Sequence, residues 1–336
     1  MLHPKVVLVG PRASGKSTLV ASVSGVLLGT STTCPVEWNI RQSDTRTWSA
    51  KVSVGYFSSK IFNYQKLRVR GSLSLNDEEG PCHSPAQLLR LLRKAEIAGF
   101  SPGQNIQAIL SMDEITVTRK YSNMLLSSLP SRGVIYVEML VPSFSPREIT
   151  IVDLPGLRET GYSDIIRHTK NVARFYAAQE GVLLAVVIRI TDRKSKPPAL
   201  STIGEGKWNK GTTVILTHGQ EALAETRWLE ILAGETEKPY IPLCFHLPDL
   251  RCAFAFTEPD IRRLRQDEAA YFLFSEPWSS LPHQTAAQLG VLNILRQWEL
   301  TWNLEKSKYR ERPERTIIWK GVFVGLVIAL LLYVCQ

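Results

Sequence analysis

The chain has 336 residues, with 40 Lys and Arg against 31 Asp and Glu and a net charge of +9. Hydrophobic residues make up 44%, charged residues 21%, and mean hydropathy is −0.05, which excludes a collagen-like repeat and long disorder; a single bilayer-compatible segment, Gly321–Cys335, excludes a multi-span membrane protein. The first 302 residues carry a mild +6 with no basic helix or stripe suited to nucleic acid, and residues 303–320 hold the other +3.

Taken in order, the chain opens without a signal-peptide pattern. Lys5–Val9 is a short β-rich run ending at Gly10, and Ser17–Val26 has helical character. Pro85–Ala98 is an amphipathic helix whose Leu88, Leu89, Leu91, Leu92 and Ile97 are expected to face the core. Ser131–Val141 alternates as a strand does and runs through a turn-rich Pro142–Arg147 into the apolar Ile149–Val152, so these two are expected to form a hairpin. Val182–Ile188 and Val214–Leu216 are further apolar runs, and Leu289–Leu304 is a strong helix. Short continuous apolar runs separated by helical segments predict a mainly parallel sheet covered on both faces. Asn76–Pro85 and Arg193–Gly206 read as loops. The five cysteines, Cys34, Cys82, Cys244, Cys252 and Cys335, form no C-x-x-C pair, which suits a reducing compartment better than a disulfide framework.

The C-terminal end divides in two. Residues 303–315 read as a basic juxtamembrane linker. Residues 316–335, twenty residues or about 30 Å of helix, read as a transmembrane anchor, with a buried core helix as the alternative. This reading predicts a single-pass protein with a cytosolic N-terminal domain, in the endoplasmic reticulum or the mitochondrial outer membrane, and a lipid membrane as partner.

The chemistry concentrates between Gly10 and Thr18. Gly10-Pro11-Arg12-Ala13-Ser14-Gly15-Lys16-Ser17 fits G-x-x-x-x-G-K-[ST] and lies after a strand and before a helix, the setting the motif requires. Glycines let successive backbone N–H groups face a phosphate chain at the positive end of the following helix. Lys16 is then expected to reach the β- and γ-phosphates, and Ser17 to place its hydroxyl on Mg²⁺. Asp153-Leu154-Pro155-Gly156 follows a buried run: Asp153 suits a Mg²⁺ ligand, and Gly156 allows its N–H to approach a γ-phosphate.

Gly10–Thr18 together with Asp153–Leu157 resembles the GTPase domain of the dynamin superfamily. Residues 131–157, Val182–Asp192 and Asp267–Glu299 match further segments of that domain in the same order, so the resemblance covers nearly all of residues 5–302. It implies a three-layer P-loop NTPase G domain over residues 1–302, GTP as substrate, Mg²⁺ as cofactor, a role in membrane remodelling or trafficking, and hydrolysis stimulated by pairing of two G domains. Thr32 matches the switch-I threonine that closes on Mg²⁺ and helps position the attacking water, with Thr33 as the one-residue alternative. Asp153 and Gly156 match switch II, and Thr217, His218 and Gln220 stand in the base-reading motif.

The departures are specific. Arg12-Ala13 replaces the family's Gln-Ser, so Arg12 is either solvent-facing or a source of positive charge for the transition state. Thr217-His218-Gly219-Gln220 replaces Thr-Lys-x-Asp, and a Gln amide offers one acceptor oxygen where a carboxylate accepts from two guanine N–H groups. A non-hydrolysing nucleotide-binding adaptor is the alternative to a GTPase, and an ATP-using enzyme stays open while Gln220 occupies the base position.

Overall fold

The computed structural model describes residues 3–24, 26, 33–44, 47–57, 69–75, 80–100, 106–113, 116, 119, 133–142, 147–158, 160–194, 212–222, 240–242, 258–286 and 289–310. Among the described residues, nine strands form one mixed sheet in the order β4-β3-β5-β2-β6-β1-β7-β8-β9. They are β1 (Lys5–Val9), β2 (Val36–Ser43), β3 (Ser49–Phe57), β4 (Val69–Ser74), β5 (Gly133–Pro142), β6 (Glu148–Asp153), β7 (Val182–Arg189), β8 (Thr213–Thr217) and β9 (Tyr240–Pro242). The helices are α1 (Lys16–Ser24), α2 (Pro85–Phe100), α3 (Ile106–Ser111), α4 (Ser163–Ala177), α5 (Glu258–Phe274), α6 (His283–Ala286) and α7 (Val291–Arg310).

The sheet is parallel from β6 through β1, β7 and β8 to β9, and carries antiparallel pairs on its other half. Alternation along each strand splits the core into two layers. Val6 and Leu8 of β1 join Leu19, Val20 and Val23 of α1, Leu88 and Leu92 of α2, and Ile294, Leu295 and Trp298 of α7. Val7 and Val9 face the other way, onto Val172 and Tyr176 of α4, Phe272 of α5 and the buried Trp278. The continuous apolar runs at β1, β6, β7 and β8 are therefore explained by helices on both faces.

The expected β5–β6 hairpin is corrected by the topology. β2 lies between the two, parallel to β5 (Val36↔Ile135) and antiparallel to β6 (Val36↔Asp153). Val36, Trp38 and Ile40 are buried in the first layer. On the opposite side Glu37 takes a 2.9 Å hydrogen bond from Lys5 and a 2.8 Å bond from the Tyr176 hydroxyl. A strand satisfied on both faces and both edges outcompetes direct pairing of its neighbours.

The transmembrane part of the expected fold, and the single-pass membrane location built on it, are also corrected. Among the described residues no helix is long and apolar enough to cross a membrane. The last described helix, α7, is amphipathic: it buries Val291, Ile294, Leu295, Trp298 and Trp302 against the domain and carries exposed Arg296, Glu299 and Lys306. It also continues to Arg310, through most of the stretch 303–315 read as a linker. Residues 316–335, on which the anchor reading rested, lie outside the described residues, as do Cys244, Cys252 and Cys335.

Candidate nucleotide-binding site

The loop from Gly10 to Gly15 leaves β1 and enters α1 in close contact with three other strand ends. A Cβ on Gly10 would come 2.1 Å from the Val187 carbonyl oxygen of β7. Gly15 has φ +86°, and a Cβ there would meet Thr217 Cγ2 at 2.9 Å. These two positions need glycine for different reasons, the first for space and the second for space and conformation. Ala13 also turns left-handed, at φ 60°, without glycine's freedom. Ser14 is buried, Ala13 and Arg12 are exposed, and Thr18 is half-buried on the first turn of α1.

Lys16 folds back into the loop it follows. Its ammonium donates to the carbonyls of Pro11 (2.7 Å) and Gly10 (3.1 Å) and contacts Ser14 Oγ at 3.5 Å. Burial pulls its pKa down to about 8, against the opposing attraction of Asp153. Ser17 Oγ donates to Asp153 Oδ2 at 2.6 Å, joining the start of α1 to the end of β6 across 136 residues. Asp153 is fully buried.

The segment after Asp153 lies backbone-on-backbone against the phosphate loop. Leu157 donates its N–H to the Gly10 carbonyl at 3.0 Å, and Pro11 bridges Leu157 in parallel. A Cβ on Gly156 would come 2.5 Å from Arg12 Cα. So the sequence elements expected to act together, Gly10–Ser17, Asp153 and Gly156, meet at the C-terminal ends of β1 and β6.

Thr217 closes the opposite side. Its hydroxyl donates to the Ser14 carbonyl at 2.8 Å and lies 3.2 Å from the Ile188 carbonyl. His218 then takes a left-handed conformation, φ 58° and ψ 45°, with Nδ1 3.0 Å from Thr217 Oγ1. Burial lowers the His218 pKa, with Glu221 opposing, which favours the neutral ring. Gln220 is exposed at the rim, and Glu221 is fixed by Arg189, whose Nε reaches Oε2 at 2.6 Å with a second contact between Nη2 and Oε1.

Thr32 lies outside the described residues. Its neighbour Thr33 is described, and its hydroxyl faces Glu96 Oε1 of α2 at 3.5 Å. Burial raises the Glu96 pKa to about 7, the Thr33 hydrogen bonds and Arg93 oppose this, and the charge of Asp153 adds to it. Sequence reading took α2 only as a core helix and missed this carboxyl, because its partners come from other parts of the chain. It also missed Thr217 as a support for the phosphate loop and Trp278, whose indole N–H donates to the Gly219 carbonyl at 3.2 Å.

The oxygens of Ser17 and Asp153 form a hard donor pair of the kind Mg²⁺ prefers, beside the buried ammonium of Lys16. No protein-family model matches the chain. The interferon-induced GTP-binding protein Mx1 of the dog, Canis lupus familiaris, is 24% identical over 193 residues, 55% of this chain. The chain spans 22% of that protein's length.

Proposed function

We propose that residues 1–302 form a nucleotide-switch domain that binds Mg²⁺–GTP and hydrolyses its γ-phosphoryl bond. The observation that carries this reading is the Ser17–Asp153 contact at 2.6 Å, beside a phosphate-type loop whose lysine is folded into it. The similarity to a GTP-binding protein and the resemblance to the dynamin-type GTPase domain point the same way.

In this reading Gly10–Ser17 present backbone N–H groups to the phosphates. Lys16 exchanges its carbonyl partners for phosphate oxygens, which are stronger acceptors for an ammonium. Ser17 and Asp153, with Thr32 by the family resemblance, would hold Mg²⁺, which would supply charge neutralisation to the phosphates. Gly156 brings its N–H toward the γ-phosphate, and Thr32 orients the attacking water. Arg12, exposed next to Gly156, contributes positive charge as the terminal phosphoryl group leaves. His218 covers one face of the base and Gln220 meets its edge. Pairing of two such domains belongs to the same reading, and turnover per chain that rises with protein concentration would register it.

The test is GTP turnover by the whole chain, beside Lys16→Ala, with GTP and ATP competing for binding. Turnover no faster than that of Lys16→Ala at any protein concentration refutes the enzyme. A second reading, nucleotide binding without hydrolysis, is favoured by Arg12 and Ala13, both exposed at the phosphate loop where the resembling family has Gln-Ser. Tight GTP binding with no turnover selects it.

A further inference from the structure

We infer that Trp278 is a positioning residue for the base-reading turn and thereby sets how strongly the purine end of a nucleotide is held. This rests on the nucleotide-binding reading above. The turn at the end of β8 is held in an unfavourable shape: His218 is left-handed, a region disfavoured for any residue that carries a Cβ. Such a conformation persists only where the surroundings fix it. Two local bonds close the turn, Glu221 N–H to the His218 carbonyl at 2.8 Å and Ala222 N–H to the Gly219 carbonyl at 3.2 Å. The Gly219 carbonyl has a second lone pair, and Trp278 Nε1–H fills it from 59 residues away.

Trp278 is well placed for this. It opens the 3-10 turn Trp278–Ser280 after α5, is fully buried, and packs edge-on against Phe272 at 5.4 Å and 75°. A donor on a ring locked in that way fixes its acceptor, so the carbonyl of Gly219 is pinned between β8 and the C-terminal helices. The neighbours of Gly219 are His218 and Gln220, the residues assigned to the base. On the other side, Thr217 reaches the phosphate loop through Ser14. Trp278 therefore acts on the base end through Gly219, while Lys16 and Ser17 act on the phosphates.

The experiment compares the whole chain with Trp278→Phe, which keeps a six-membered aromatic ring, loses the pyrrole ring and removes the N–H. Phe272→Leu is the packing control, and benzothienylalanine, placed at position 278 alone, exchanges the N–H for sulfur should Trp278→Phe not fold. Two readouts are needed: hydrogen exchange of the Glu221 and Ala222 amides without nucleotide, and dissociation constants for a fluorescent GTP analogue and for inorganic triphosphate, which has no base. Loss of one buried hydrogen bond corresponds to about a fivefold change. We expect about fivefold faster exchange at both amides and about fivefold weaker GTP-analogue binding, with triphosphate binding unchanged. Phe272→Leu should lower thermal stability without changing the ratio of the two affinities. Unchanged exchange, or equal weakening of GTP analogue and triphosphate, overturns the inference. A parent chain that binds neither ligand refutes the nucleotide reading; the exchange result then decides the tether alone, faster exchange supporting it and unchanged exchange overturning it.

Discussion

Gly156→Ala isolates the contact between the phosphate loop and the segment after Asp153. Gly156 has no left-handed backbone to defend, so its requirement is space. The added Cβ would sit 2.5 Å from Arg12 Cα and 2.8 Å from Arg12 N, both backbone atoms. Ordinary contact begins near 3.4 Å, so one segment must retreat by almost 1 Å. Overpacking of this kind costs about 1–3 kcal/mol, and retreat also breaks the Leu157 N–H to Gly10 bond, worth about 1 kcal/mol. The sum is about 2–4 kcal/mol, or about 4–8 °C in Tm at about 2 °C per kcal/mol for a domain of this size. Gly80→Ala is the comparison, since Gly80 has φ +73° but nothing within 4 Å of its Cβ. That substitution should cost about 1 kcal/mol through backbone strain alone, about 2 °C. Thermal denaturation of the nucleotide-free chain measures both. A Gly156→Ala protein melting within 1 °C of the parent refutes the backbone-on-backbone contact.

Three further outcomes are expected. Ala13→Gly relieves the left-handed backbone at φ 60° and raises thermal stability by about 1 kcal/mol; a lower Tm refutes the strain argument. Lys16 has its folded pKa lowered from 10.5 to about 8, so the folded state binds fewer protons than the unfolded state between those values. Stability of the parent therefore gains on that of Lys16→Met as pH rises through this window, and a pH-independent difference between them refutes the depressed pKa. Glu96 has its folded pKa raised from 4.5 to about 7, so ionisation in that window favours unfolding. The parent should lose stability from pH 4.5 to 7 relative to Glu96→Gln, which urea denaturation at several pH values would detect; parallel curves refute it.

The parts of the site legible in the sequence are those whose meaning is local. Gly10–Ser17 needs only its own spacing and its place after β1 to be read as a phosphate loop, and Asp153 announces itself at the end of an apolar run. β2 and β3 were missed although Val36, Trp38 and Ile40 alternate with Glu37, Asn39 and Arg41 as a strand does; what that alternation does not state is their place in the sheet, since the partners that satisfy Glu37, Lys5 and Tyr176, lie 32 and 139 residues away. The contacts supporting the site escaped for a related reason. Thr217 and Ser14 are 203 residues apart, Trp278 and Gly219 are 59 apart, and Thr33 and Glu96 are 63 apart. Each is made by the sheet order, which no periodicity states. The continuation of α7 to Arg310 was hidden by polar composition, although Lys, Glu and Arg are good helix formers.

The register of β2 against β6 pairs Val36 with Asp153. The chain thus enters β2 and leaves β6 at one point of the sheet. Pro35 stands immediately before that point and Pro155 two residues after it, each with φ restricted by its ring. Two segments that start from a shared fixed point and lose a torsion to proline have fewer arrangements to give up. Both prolines thus restrict the unfolded chain on either side of the same point, and folding gives up less backbone freedom at this junction of β2 and β6 than it would with unrestricted residues.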